Sequence, residues 1–151
     1  MKRLLKLTLV FMVVLSCNPK EKKKTKVDYP EKTSFSSLSP DLKASMERGK
    51  LVYDDLCLTC HMANGKGAPG AFPPLAQSDY LKNYQEESIK GIKNGMKGEM
   101  VVNGITYNSI MTPLGLSDEE VADVMNYINN SWGNKYGKLI TPEEVTKVIK
   151  N

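Results

Sequence analysis

Cys57-Leu58-Thr59-Cys60-His61 sets what the remaining residues have to do. Two cysteines separated by two residues and followed at once by a histidine form a c-type haem attachment motif. The two thiols add across the two haem vinyl groups as thioethers, and the adjoining histidine is held under the porphyrin, where its imidazole can ligate the iron. The signal is specific because its parts are scarce: the chain has 3 Cys and 1 His. Zinc wants four Cys, His or carboxylate ligands, and there is no second Cys pair to supply them. A redox disulfide of the thioredoxin kind wants a βαβ context, and none surrounds this motif. One covalent haem c is therefore expected, with Cys57 and Cys60 as its anchors and His61 as an iron ligand.

The remaining cysteine, Cys17, belongs to a different argument. Lys2, Arg3 and Lys6 form a basic start, and Leu7 to Leu15 is an apolar run too short to span a bilayer as a mature helix. Val14-Leu15-Ser16-Cys17 then resembles the bacterial lipobox, in which a small residue precedes a lipidated cysteine. An ordinary secretory signal with a chance cysteine is the competing reading. Either way export is expected, to the periplasm or cell surface, and haem attachment to such motifs also occurs outside the cytoplasm.

At 151 residues the chain accommodates one small domain with appendages. The expected organisation is a signal peptide over 1–16, a lipidated disordered linker over 17–39, a haem domain over 40–133 and a C-terminal extension with a short helix over 134–151. The linker is rich in Lys, Ser, Thr and Pro and too poor in apolar residues to bury a core. As a flexible coil it spans roughly 25 Å, enough to hold a domain near a membrane while letting it turn between partners. The formal charge of +4 overstates the basicity of the domain, because residues 40–151 hold 12 Lys/Arg against 14 Asp/Glu. The basic run lies in the linker with almost no interleaved aromatics, so nucleic-acid binding is not expected; weak attraction to anionic lipid is compatible with it.

Along the domain, Leu42, Met46, Gly49, Tyr53 and Leu56 recur at spacings of four and three, which predicts one face of a helix over 41–56. Gly49 on that face costs about 1 kcal/mol in a helix interior, and close approach of another helix is a physical reason for it. After His61 the Gly/Pro-rich stretch 64–75 lacks helix or strand periodicity, a length of loop that usually has a task; wrapping one side of a haem is sufficient. Residues 85–95 suit a short helix with Ile89, Ile92 and Met96 on one side, weakened by Gly91. Asn103-Gly104 between β-branched residues predicts a small surface hairpin. Ser117-Asp118-Glu119-Glu120 is a capping box, starting a helix that carries Val121, Val124, Met125, Ile128 and Trp132 and ends near Trp132-Gly133. Thr141-Pro142-Glu143-Glu144 opens a last short helix in the same way.

With His61 the sole histidine, a second axial histidine from the same chain is excluded. The usual alternative is a methionine thioether, which raises the reduction potential. Met1 and Met12 lie in the signal, Met62 is too close to His61 to reach the opposite haem face, and Met46 and Met125 lie on apolar helix faces where packing is the default. Met96, Met100 and Met111 remain, in expected loops. Met111 is the leading candidate because Pro113 stiffens its loop; Met100 and an open or otherwise ligated iron are the alternatives.

These residues resemble a known family. Arg48-Gly49-x-x-x-Tyr53, Cys57-Leu58-Thr59-Cys60-His61, Gly65-Lys66-Gly67, Phe72-Pro73-Pro74-Leu75, Val102-Asn103-Gly104-x-x-Tyr107-Asn108-x-x-Met111 and Leu116-Ser117-Asp118-Glu119-Glu120 followed by Tyr127-Ile128 are similar to class I monohaem cytochromes c, particularly small bacterial domains found free, lipid-anchored or fused to periplasmic oxidoreductases. The resemblance implies an all-α cytochrome c fold, with first and last core helices crossing around one covalently bound haem. It assigns the crossing to Gly49 and Tyr53 against Tyr127. It also implies that a proline carbonyl, matching Pro73 or its neighbour Pro74, accepts a hydrogen bond from the ligand histidine. Two departures are Thr112 between Met111 and Pro113, and residues 134–151 beyond the minimal domain.

The implied function is one-electron transfer by a membrane-tethered carrier with redox partner proteins, not independent catalysis. The alternative is a dedicated electron-entry subunit of a respiratory or periplasmic oxidoreductase complex. A haem-based sensor lacks an output domain, and a dihaem peroxidase needs two attachment motifs. Either a monomer or a complex subunit fits this reading.

Overall fold

Ser39 and Pro40 start the first helix. The Ser39 side chain accepts from the Leu42 N–H, and Pro40 occupies the first helical position, where no N–H is needed. The computed structural model describes residues 38–136 and 138–151; the expected signal peptide, Cys17 and nearly all of the linker lie outside the described residues. Helix α1 spans Pro40–Val52 and continues through a π-helical turn, Tyr53–Cys57, into the short α2, Leu58–His61. Then come α3 (Asp79–Asn83), α4 (Gln85–Asn94), a hairpin of β1 (Met100–Val102) and β2 (Ile105–Tyr107), α5 (Asp118–Asn129) and α6 (Pro142–Lys150).

The largest helix–helix contact is α1 against α5. Gly49 makes it possible: a Cβ there would lie 1.9 Å from the Asp123 carbonyl oxygen and 2.9 Å from the Val124 nitrogen. Asp123, one turn into α5, also accepts from Ser45 Oγ at 2.6 Å and is gripped by Arg48 at 2.6 and 2.7 Å. Backbone contact and a charged clamp thus fix the same crossing. Beneath it Tyr53, Tyr127 and Trp132 form a three-ring cluster with centroids 5.1–5.6 Å apart, in the tilted and edge-on arrangements that ring quadrupoles favour.

Leu42, Met46, Gly49 and Tyr53 are buried as their spacing predicts, but Leu56 is exposed. The π-helical turn delays the chain by one residue relative to an α-helix, which rotates Leu56 out and Cys57 in. The hairpin forms with register Met100↔Tyr107 and Val102↔Ile105, and Asn103 and Gly104 both take positive φ (50° and 77°), as a type I′ turn requires. It is more than a surface feature, since Val102 and Tyr107 are buried. Helix α5 ends at Asn129, earlier than its apolar spacing suggests. Trp132 then takes φ 52°, which folds its indole back over the loop after His61.

Both expected capping boxes are present, at Ser117/Glu120 and Thr141/Glu144. Helix α6 packs on α4 and α5 with Val145 fully buried, and buried asparagines tie the connection down. Asn126 exchanges two bonds of 2.8 Å with the Ile140 backbone, and Asn134 bonds the Leu75 and Ile128 carbonyls. Among the described residues the fold is helical, with one small two-stranded sheet. Among the described residues no helix is long and apolar enough to cross a membrane.

Candidate functional site

The π-helical turn hands α1 directly to the attachment motif. Cys57 caps α2 and Cys60 sits within it, so both partly buried thiols come off one short helical turn. Met62 ends α2 with φ 65°, and its carbonyl accepts from Tyr53 Oη at 2.7 Å, which locks the stop to the aromatic cluster. The chain then winds tightly. Gly67 N–H returns to the His61 carbonyl at 3.0 Å, and Leu75 and Ala76 N–H both reach the Gly65 carbonyl.

Two glycines allow this winding. A Cβ on Gly65 would sit 2.5 Å from the Trp132 ring, and one on Gly67 would sit 2.3 Å from the Phe72 carbonyl oxygen and 2.6 Å from that of Pro73, both at positive φ. The product is one carbonyl in a fixed place: Pro73 O lies 3.0 Å from His61 Nδ1. A carbonyl only accepts, so Nδ1 carries the proton and Nε2 keeps its lone pair. Burial pushes the His61 pKa down, partly offset by the Pro73 bond, which favours the neutral imidazole that metal binding needs. Burial, with Cys60 nearby, pushes the Cys57 thiol up to about 11.

The opposite side comes from the segment between α4 and α5. Met96 and Met111 pair through two backbone bonds of 2.8 and 2.9 Å. Gly95 is needed beside them, because a Cβ there would lie 2.6 Å from the Met111 carbonyl oxygen. Gly91, read from the sequence only as a weakness in α4, makes room for a side chain: a Cβ would meet Met96 Sδ at 2.4 Å. Met100 lies on β1 and not in a loop. Met46 and Met125 are core residues, and Met62 is exposed.

Between the two sides lies a cleft of about 980 Å³, counting its open mouth. Cys57, Cys60, His61 and Pro73 line it together with Met96, Met100 and Met111, and no Asp, Glu, Lys or Arg is among its lining residues. An uncharged interior with two thiols, an imidazole and thioethers fits the apolar faces and soft iron chemistry of a haem.

Sequence reasoning missed the Met96–Met111 pairing and the role of Trp132, whose indole N–H donates to the Ala63 carbonyl at 3.1 Å. The glycines at 91 and 95 were the available signal for the first. A spacing rule that keeps Trp132 on the helix could not reveal the second.

A cleft of this composition, lined by a Cys-x-x-Cys-His turn and by Val124 and Ile128 of α5, defines a covalent-haem protein. The cytochrome c family model matches residues 46–132. Cytochrome c-552 of Thermus thermophilus is 41% identical over 109 residues, covering 66% of this chain and 82% of that protein. The chain belongs to the cytochrome c family, as a class I monohaem member with covalently bound haem c, and electron carriage is the function of that family. Two further relatives are subunits of larger enzymes. The cytochrome c subunit of the quinone alcohol dehydrogenase of Gluconacetobacter polyoxogenes is 29% identical over 114 residues, 66% of this chain but 22% of that one. The cbb3-type cytochrome c oxidase subunit FixP of Azorhizobium caulinodans is 30% identical over 97 residues, 61% of this chain and 31% of that one.

Proposed function

We propose that this protein is a membrane-tethered one-electron carrier, in which Cys57 and Cys60 anchor the haem and His61 and Met111 fill the two axial positions of its iron. Bound haem supplies an Fe(II)/Fe(III) couple. The chain's residues do the rest. The Pro73 carbonyl orients the His61 ring and leaves Nε2 free to bind. The Met96 backbone holds Met111, which matters because a neutral thioether is a weak ligand. The lining carries no charged side chain, which makes the cleft a poor site for ions. With His61 and Met111 both bound to it, the iron would offer no place for a substrate and would exchange electrons alone.

The observation carrying this reading is that His61, with Nδ1 committed to Pro73, and Met111 line one cleft from different chain segments. Carbon monoxide tests it. Dithionite-reduced wild-type protein is expected to keep its visible spectrum on brief exposure to CO, Met111→Ala to shift fully, and Met100→Ala to behave as wild type. Immediate CO binding by the wild type, or opening by Met100→Ala in place of Met111→Ala, overturns the axial assignment.

The tether rests on the lipobox-like Val14-Leu15-Ser16-Cys17, with the haem domain facing the periplasm or cell surface. Cys17→Ala is expected to move the protein from membrane to soluble fractions; retention on the membrane argues against lipidation there. A second reading, an electron-entry subunit of an oxidoreductase complex, is favoured by the dehydrogenase and oxidase subunits among its relatives. That reading expects stoichiometric co-purification from detergent extracts. A free carrier docks briefly through a small interface, below about 1,200 Å², and purifies alone.

A further inference from the structure

The segment running from Gly95 to Gly115 carries all three cleft-lining methionines. Its near end is closed by the Met96–Met111 backbone pair. Its far end is held by a side chain, Lys93, in the last turn of α4. Lys93 Nζ donates to the Leu116 carbonyl at 2.7 Å and pairs with Asp118 Oδ1 at 2.7 Å. One ammonium therefore joins the residue before the segment to the residues after it. The other carboxylate oxygen, Asp118 Oδ2, accepts from Thr146 Oγ1 at 2.5 Å. The Thr146 hydroxyl has one proton to give and also lies 3.0 Å from the Pro142 carbonyl; the charged, closer carboxylate is the better acceptor.

Thr146 belongs to α6, outside the residues that the family model matches. That helix is not free to drift, because Val145 is fully buried and Ile140 is held twice by Asn126. The chain of contacts runs from a fixed helix, through Asp118, to Lys93 and so to the end of the methionine segment.

We propose that Lys93 is a positioning residue for the methionine ligand, and that the C-terminal extension steadies it through Thr146 and Asp118. This rests on the axial reading of Met111. The clasp does not touch the cleft; its effect is on how often the segment lifts and the thioether leaves the iron. A ligand this weak depends on its loop, so loosening the loop shortens occupancy without loosening the fold to the same degree.

CO enters a six-coordinate iron only when the methionine lets go, so slow uptake followed over hours by the reduced holoprotein counts such openings. Lys93→Met keeps the aliphatic stem and removes the charge; Thr146→Val removes one hydroxyl at nearly constant shape. Lys93→Met is expected to speed uptake about tenfold, at the low end of the roughly 10–100-fold cost of disturbing outer-sphere partners. Thr146→Val should act in the same direction and less. The double variant should be no faster than Lys93→Met, because the two act in series. Leu42→Ala, a core truncation on α1, which supplies no residue of the clasp, is expected to lower the melting temperature without speeding uptake. Uptake unchanged in both Lys93→Met and Thr146→Val overturns the clasp, as does equal acceleration by Leu42→Ala. Immediate, full CO binding by the wild type overturns the axial reading and the clasp with it; a CO-resistant wild type with unresponsive variants removes the clasp alone.

Discussion

Gly49 is the residue whose replacement sets two principles against each other. Alanine is favoured over glycine in a helix by about 1 kcal/mol, yet its Cβ would stand 1.9 Å from the Asp123 carbonyl oxygen. Overpacking costs typically about 1–3 kcal/mol and more when backbone must move, and here α5 must move together with the Ser45 and Arg48 bonds to Asp123. Gly49→Ala is therefore expected to lower the melting temperature of the holoprotein, by roughly 4–8 °C for each kcal/mol lost. An unchanged or raised melting temperature in a calorimetric scan counts against backbone contact at the crossing. At this scale the sequence was most readable where chemistry narrows the choice. Cys57, Cys60 and His61 could be read because few arrangements use those residues in that order, and Gly49 because a glycine on an apolar helix face wants a reason. Leu56 misled because helical spacing assumes an unbroken α-helix, and nothing in Tyr53-Asp54-Asp55-Leu56-Cys57 announces the change of turn.

The helix starts were legible as elements and the helix ends were not. Ser117 and Thr141 cap α5 and α6 with their own oxygens while Glu120 and Glu144 return to the cap N–H groups. Such local, reciprocal bonding can be read from four residues. The end of α5 depends on Trp132 finding the space over Gly65, a contact between distant parts of the chain that no local rule contains. Ser117→Ala is expected to cost about 1 kcal/mol, visible as a lower midpoint in urea at unchanged m-value. The same junction sets an acid limit. The Lys93 bond, followed by that from Thr146, holds the Asp118 carboxyl below its ordinary range, and bonds to the Ser117 backbone and side chain do the same for Glu120. A carboxyl with a lowered folded-state pKa stabilises above its unfolded value, about 4, and that contribution is lost as pH falls through the lowered value. Stability is therefore expected to fall below about pH 4, with a shallower fall in Asp118→Asn, measured as urea midpoints across pH. Parallel pH profiles for the two proteins exclude Asp118 from the acid response.

For the molecule as a whole, the cofactor is part of the core. The attachment turn and the methionine segment both line one cleft with apolar side chains such as Leu81, Ile92, Val124 and Ile128, and a haem seated there would complete their packing. Cys57→Ala/Cys60→Ala protein purified without haem is expected to keep far-UV helicity, lose near-UV ellipticity and bind the dye ANS, the signs of a molten state. Native near-UV signal in that protein would mean that the helices are self-sufficient. The crossing itself offers a way to watch such transitions. Trp132 is the chain's single tryptophan; it packs tilted against Tyr53 and edge-on to Tyr127 and bonds the Ala63 carbonyl, two residues past His61. A nearby porphyrin drains indole excitation, so the holoprotein should be almost dark in tryptophan emission and brighten as distance grows. The protein carries its own optical gauge, reading the helix crossing and the cofactor loop in one signal without any added label.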